Sequence, residues 1–159
     1  VKNDKQSIGQ AIGRIPSGCM IVTAQYGGQS TGLLASWVQQ SSFEPPAVTV
    51  CIKPTRPIAQ LIDGSRCFVI NVIGEGTAVK LMKQFGRGFA PGENAFEGLE
   101  IESSDYGPVL SECVAHLGCR LTNRFCGGDH DIYVGEIEAG EGNENARPFI
   151  HVRANGLSY

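Results

Sequence analysis

A chain of 159 residues, 42% apolar and 18% charged, is long enough for one domain with a buried core and too apolar to stay disordered. A formal charge of −3 with no basic run argues against a nucleic-acid partner, and no apolar stretch is long enough to span a membrane as a helix. The opening VKNDKQSIGQ lacks the charged-then-apolar order of a signal peptide, which points to a cytoplasmic location. It also lacks an initiator Met, as expected of a processed chain or of a single domain, residues 1–159, cut from a longer protein.

Ser7 to Ile15 spaces its apolar residues like a short amphipathic helix ended by Pro16. Cys19 to Tyr26 reads as a strand, Gly27-Gly28 as a hairpin turn, and Ser30 to Gln40 as the segment that pairs back. Ala47 to Lys53 alternates cleanly. Pro57 suits the first turn of a helix reaching about Asp63, with Gly64 placed to stop it. Cys67 to Ile73 is a buried strand, and Thr77 has the look of an N-cap for a helix to Phe85. Gly86 to Gly98 is a surface loop by composition. Strands follow over about Glu112–Phe125 and His130–Glu138, joined at Gly127-Gly128, and FIHV closes the chain. With 21 glycines and no G-X-Y period, the glycines serve turns and close approaches. Six or seven antiparallel strands with two or three short helices make one mainly β barrel.

Six cysteines sit mostly inside apolar runs, where Cys behaves as a small hydrophobe, so reduced core thiols are expected. Cys113-x2-His116-x2-Cys119 has a metal-like spacing. On a strand its two thiols would lie roughly 20 Å apart, with the imidazole on the opposite face. No metal site is expected. Gly74-Glu75-Gly76 after a strand imitates a dinucleotide fingerprint, but the third glycine position is Val79 and no strand convincingly leads into Glu100 or Glu102. A plain strand–turn–helix junction is the better reading.

Two segments carry candidate chemistry. Lys53 ends one strand, and Thr55 and Arg56 stand just before the Pro57 helix, a donor set suited to a phosphate. Ser36, Gln40, Ser41 and Ser42 lie in the segment expected to run alongside. For any one of these residues, ordinary turn chemistry explains it as well. His130 enters a strand straight after Gly127-Gly128, either aimed outside the core or partnered by Asp129 or Asp131. Gly135 within that strand implies close approach by another backbone or a flat ring. Trp37 is the only tryptophan, placed for the core, for a pocket edge or for a dimer contact. No nucleophile–base pair stands out, so a cofactor would carry any chemistry.

LLASWVQQSSFEPPAVTVCIKPTRP resembles the motif of the flavin reductase-like, FMN-binding split-barrel family. GDHDIYVGEIEAG resembles its second motif, GRIPSGCMIVTAQ its opening strand, and a terminal tyrosine such as Tyr159 is usual there. ASWVQQSSFEPP is similar to the C-terminal reductase-like domain of cyanobacterial diflavin flavodiiron proteins, which join it to diiron and flavodoxin-like domains and reduce oxygen.

The resemblance implies an antiparallel Greek-key split barrel that binds FMN, with FAD as the variant, and takes hydride from NAD(P)H. It implies that Ala35, Ser36, Trp37, Gln40, Ser41 and Ser42 line the flavin, and that Lys53, Thr55 and Arg56 hold its phosphate. His130 would lie near the ring where the nicotinamide approaches. Trp37 and Gln40 stand where many relatives have smaller polar residues. A homodimer is implied as well. Two alternatives stay open: an electron relay without its own NAD(P)H site, and an interaction domain with a vestigial pocket.

Overall fold

The computed structural model describes residues 2–157; Val1, Ser158 and Tyr159 lie outside the described residues. Helix α1 (Lys5–Gly13) begins where the Asp4 carboxylate accepts the Ser7 N–H at 2.9 Å. A short strand β1 (Ser17–Gly18) precedes β2 (Met20–Tyr26), β3 (Gln29–Ala35), β4 (Val38–Phe43) and β5 (Pro46–Ile52). Helix α2 (Pro57–Ser65), β6 (Cys67–Val72) and α3 (Ala78–Gly86) follow, then the hairpin β7 (Ile101–Ser104) and β8 (Gly107–Leu110). The long strands β9 (Ala115–Cys126) and β10 (Asp131–Gly142), and then β11 (Ile150–His151), complete the chain.

Seven strands form one antiparallel sheet in the order β3-β2-β6-β9-β10-β5-β4. Its outermost strands, β3 and β4, are joined by only two residues, Ser36 and Trp37. That link is too short to cross an open sheet, so the sheet must curl until its edges meet. The result is the mainly β split barrel with three short helices that the sequence implies. The segment expected to pair back as one strand over Ser30–Gln40 is therefore two strands, one on each edge.

The barrel interior is filled by alternate residues of the strands, among them Val22, Val50, Phe68 and Tyr133, all fully buried. Helix α2 closes one end of it with Ile58, Ala59, Leu61 and Ile62. A second cluster packs Leu81 and Phe85 of α3 and Ala95 and Phe96 against Ile21 and Ile73. Burial of each large side chain there contributes about 1.5–3 kcal/mol. The Gly86–Gly98 segment is irregular, as its composition implies, but it is not merely a surface loop. It buries Ala95 and Phe96, and Gln84 holds it through the carbonyls of Ala95 and Glu97 at 3.0 and 3.2 Å.

The β7–β8 hairpin has no counterpart in the sequence expectations. Its strands are four residues long, and one contains Pro108, so neither gives a periodic signal. The antiparallel pairing of β7 with β8 removes what remained of the dinucleotide reading, which needs a parallel strand. Buried Asn71 holds the hairpin in place: its amide donates to the Ile21 carbonyl at 3.1 Å and accepts from the Leu110 N–H at 2.8 Å. Thr23 adds a bond to the Pro108 carbonyl. These buried polar groups are satisfied, as a core requires.

Two local expectations change. Thr77 does not cap α3 with its side chain; its hydroxyl donates to the Glu112 carbonyl at 3.2 Å. Helix α2 runs past Gly64 to Ser65, and Arg66 takes the left-handed cap conformation at φ 60°. Among the described residues no helix is long and apolar enough to cross a membrane.

Candidate functional site

Strand β5 lies between β4 and β10, and this brings the candidate residues to one end of the barrel. Val50 faces Val38 on one side and Tyr133 on the other. One residue further, the Cys51 N–H donates to the Trp37 carbonyl at 3.0 Å, and Cys51 faces Ile132. Ile52 then faces Asp131, so Lys53 leaves β5 where His130 enters β10. Trp37, Lys53 and His130, distant in sequence, share one strand end. The chain then turns, with the Arg56 N–H bonded to the Lys53 carbonyl at 2.9 Å, into α2.

The N-terminus of α2 has Pro57 in its first turn and no side chain capping it. Lys53, Thr55 and Arg56 surround it, all exposed. Two cations and a hydroxyl at the positive end of a nine-residue helix match the chemistry of a phosphate ester. The Arg56 guanidinium lies against Gly88, in the irregular segment after α3.

His130 is 16% exposed in its side chain, and its Nδ1 lies 3.0 Å from the Asp129 carboxylate. That bond, and more weakly the charge of Lys53, holds the Asp129 carboxyl below its ordinary value. Of the two partners the sequence left open, Asp129 takes the imidazole. Asp131 turns instead to Arg124, which also reaches Asp63 at the end of α2. The other face of His130's surroundings is Trp37, ring centroids 4.8 Å apart and planes at 57°.

The remaining candidates spread along β3 and β4. Ala35 is buried at the end of β3 opposite Met20, and half-buried Ser36 lies in the link. Gln40, Ser41 and Ser42 lie further along β4, and the register slips between Gln40 and Ser42, which leaves Ser41 as the extra residue of a bulge. Such a bulge re-aims side chains. At the rise of a strand, Ser42 lies roughly 17 Å from Trp37, so Gln40–Ser42 form a separate group from the His130 end.

Burial pushes the thiols of Cys113 and Cys119 up to about 12. Cys119 is in the core, and among the described residues no His, Cys, Asp or Glu cluster is placed to hold a metal. Sequence reasoning missed Arg124 and Arg153. Arg124 was findable, since a hairpin turning at Gly127-Gly128 puts it diagonal to Asp131. Arg153, whose guanidinium carbon lies 5.4 Å over the Trp37 ring, sits in an irregular tail and gave no signal.

Comparison with known proteins places the chain in a family. Residues 12–156 match the flavin reductase like domain. The chain is 38% identical over 151 residues to a diflavin flavoprotein of Synechocystis, covering 94% of this chain and 25% of that protein. It is 36% identical to one from Nostoc, covering 96% and 27%. The chain thus spans about a quarter of the length of these curated relatives. The NADH:FAD oxidoreductase of Streptomyces globisporus shares the fold with a TM-score of 0.84 at 24% identity, over 92% of this chain and 86% of that one. The flavin reductase PheA2 does so with a TM-score of 0.80 at 22% identity, over 96% and 95%. The first of these enzymes has also been solved with NAD and FAD fragments. With a family match over residues 12–156 and relatives above a third identical, the chain belongs to the flavin reductase like domain family.

Proposed function

We propose that this domain is an NAD(P)H:flavin oxidoreductase that passes hydride from a nicotinamide nucleotide to bound FMN. The observation that carries the reading is the convergence of Lys53, Thr55, Arg56 and the uncapped α2 N-terminus with His130 and Trp37 at one end of β5. That set suits a ligand with a phosphate at one end and a flat ring at the other. Lys53, Thr55 and Arg56 hold the phosphate; Ala35, Ser36 and Trp37 flank the ring, and Gln40, Ser41 and Ser42 line the further reach of β4. His130 orients the ring or the nicotinamide. The flavin, when bound, supplies the hydride-accepting centre; this chain supplies orientation and fixed charge.

The likeness to diflavin flavoproteins supports a place in a longer flavin-carrying protein, and the resemblance of ASWVQQSSFEPP extends the proposal to diiron and flavodoxin-like partner domains in a cytoplasmic oxygen-reducing protein. A homodimer, which the family resemblance implies, is part of the same proposal. Anaerobic stopped-flow mixing of the FMN-loaded protein with NADH or NADPH tests the activity. Bleaching of the flavin band is expected; no bleaching at millimolar nucleotide leaves an electron relay in its place.

A further inference from the structure

Three segments far apart in the chain meet at one indole. Trp37 comes from the β3–β4 link, His130 from the turn into β10, and Arg153 from the segment after β11. The His130 ring is 4.8 Å from the indole, and the Arg153 guanidinium carbon is 5.4 Å over it, within the range at which an aromatic face attracts a cation. The indole itself is fixed at its root, because its residue's carbonyl accepts the Cys51 N–H.

Arg153 is fixed from the opposite side. Its carbonyl accepts from Arg14 Nη2 at 2.6 Å, at the cap of α1. The Gly156 N–H donates to the Gly9 carbonyl at 2.7 Å. A Cβ at Gly13 would lie 2.6 Å from the Arg153 carbonyl oxygen, so helix and tail are in backbone contact. The tail is therefore docked on α1 by hydrogen bonds and close packing, and from that base Arg153 reaches the indole.

His130 needs such a support. Its polar partner, Asp129, is 79% exposed and stands on a turn next to Gly128, at φ 109°. A bond to an exposed carboxylate beside a glycine turn leaves the plane of the imidazole free to turn, and its low exposure of 16% must come from its other neighbours. The indole supplies the second, flat contact that removes this freedom.

We propose that Trp37 and Arg153 are positioning residues for His130: the tail docked on α1 holds Arg153 against the indole, and the indole sets the orientation of the imidazole. The docking of Arg153 through Gly156 on the first helix is thereby coupled to the site. The catalytic consequence rests on the reading of His130 given above; the coupling itself does not.

The test uses the full chain and has one readout free of activity. The chain has three histidines, and the imidazole proton resonance of His130, assigned through H130N, carries the ring-current shift of Trp37. In R153M that resonance moves toward the position of a free imidazole while that of His116 stays, and the single tryptophan's emission moves to the red. Flavin bleaching by NAD(P)H slows about ten-fold, as expected of a misplaced group, while FMN affinity is little changed. R153K, which keeps the charge but not the planar fork, falls between. A folded R153M with the wild-type His130 resonance overturns the proposal. If R153M does not fold, R153Q carries the same test, and an unmoved His130 resonance there overturns it. Should the wild type fail to bleach while the resonance moves in R153M, the reductase reading falls and the positioning stands.

Discussion

Arg124 donates from Nε and Nη2 to one oxygen of Asp131, at 2.9 and 2.6 Å, and so ties the two strands of the β9–β10 hairpin just before the turn that carries His130. The same guanidinium bonds to Asp63 on α2 and lies 4.8 Å over the Tyr133 ring. One side chain thus joins the helix whose N-terminus faces the proposed phosphate position to the hairpin that presents the imidazole. Asp131 is only 14% exposed, so removing its partner leaves a poorly solvated carboxylate. R124M is expected to cost about 2 kcal/mol, the scale of a lost charge-assisted hydrogen bond. That corresponds to a fall in Tm of roughly 4–8 °C for a chain of this size, read by circular dichroism. An unchanged Tm would show the cluster to be decorative.

The phosphate reading separates FMN from riboflavin, which lacks the phosphate. K53A and R56A should each weaken FMN binding about ten-fold, the loss of one charge-assisted contact, and leave riboflavin binding unchanged. Fluorescence titrations with the two ligands, at low and moderate salt, decide it. Equal weakening of both would mean that these cations shape the pocket rather than bind a phosphate.

Two glycines that look alike in the sequence have opposite expectations in the structure. A Cβ at Gly135 would stand 2.5 Å from the ring of Phe68, which is fully buried and cannot yield. G135A should therefore destabilise by about 1–3 kcal/mol through overpacking. A Cβ at Gly64 would meet the Tyr26 ring at 2.4 Å, but that ring is 55% exposed and can swing into solvent. Since Gly64 is inside α2, G64A gains about 0.5–1 kcal/mol of helix propensity and should be close to neutral or stabilising. Urea melts of the two variants test the contrast.

That contrast marks where the sequence stops being legible. The flat ring beside Gly135 could be inferred, because a glycine inside an alternating strand signals a close approach. The strands that end at Lys53 and begin at His130 were legible from hydrophobic alternation and their turns, but their pairing was not, and only the family resemblance implied that Trp37, Lys53 and His130 share a site. Arg153 on Trp37, the Asn71 contacts under the β7–β8 hairpin and the tail on α1 join residues with no local pattern at all. The failed expectation at Gly64 has the same root: a glycine near a helix end was read as a stop signal, while the helix continues through it beneath a ring from another strand.

The pH dependence of stability follows from Glu138. Arg120 donates to both of its oxygens, at 2.7 and 2.9 Å, and this holds the Glu138 carboxyl below its ordinary value. Tyr106 bonds to the same carboxylate, which raises its own phenol above the usual range. Because the folded carboxyl titrates lower than the unfolded one, the unfolded chain takes up a proton first as pH falls. The contribution is therefore present above the ordinary Glu value of about 4.3 and is lost as pH falls through the lower folded value. Glu93, held low by Arg87, and Asp4, held low by the N–H of Ser7, act in the same direction and the same window. Tm should thus be flat near neutrality and fall below about pH 4. In E138Q the curve should start lower and fall less steeply, since one of the groups that takes up a proton has been removed. A parallel acid limb in E138Q would assign the acid sensitivity to the other carboxylates.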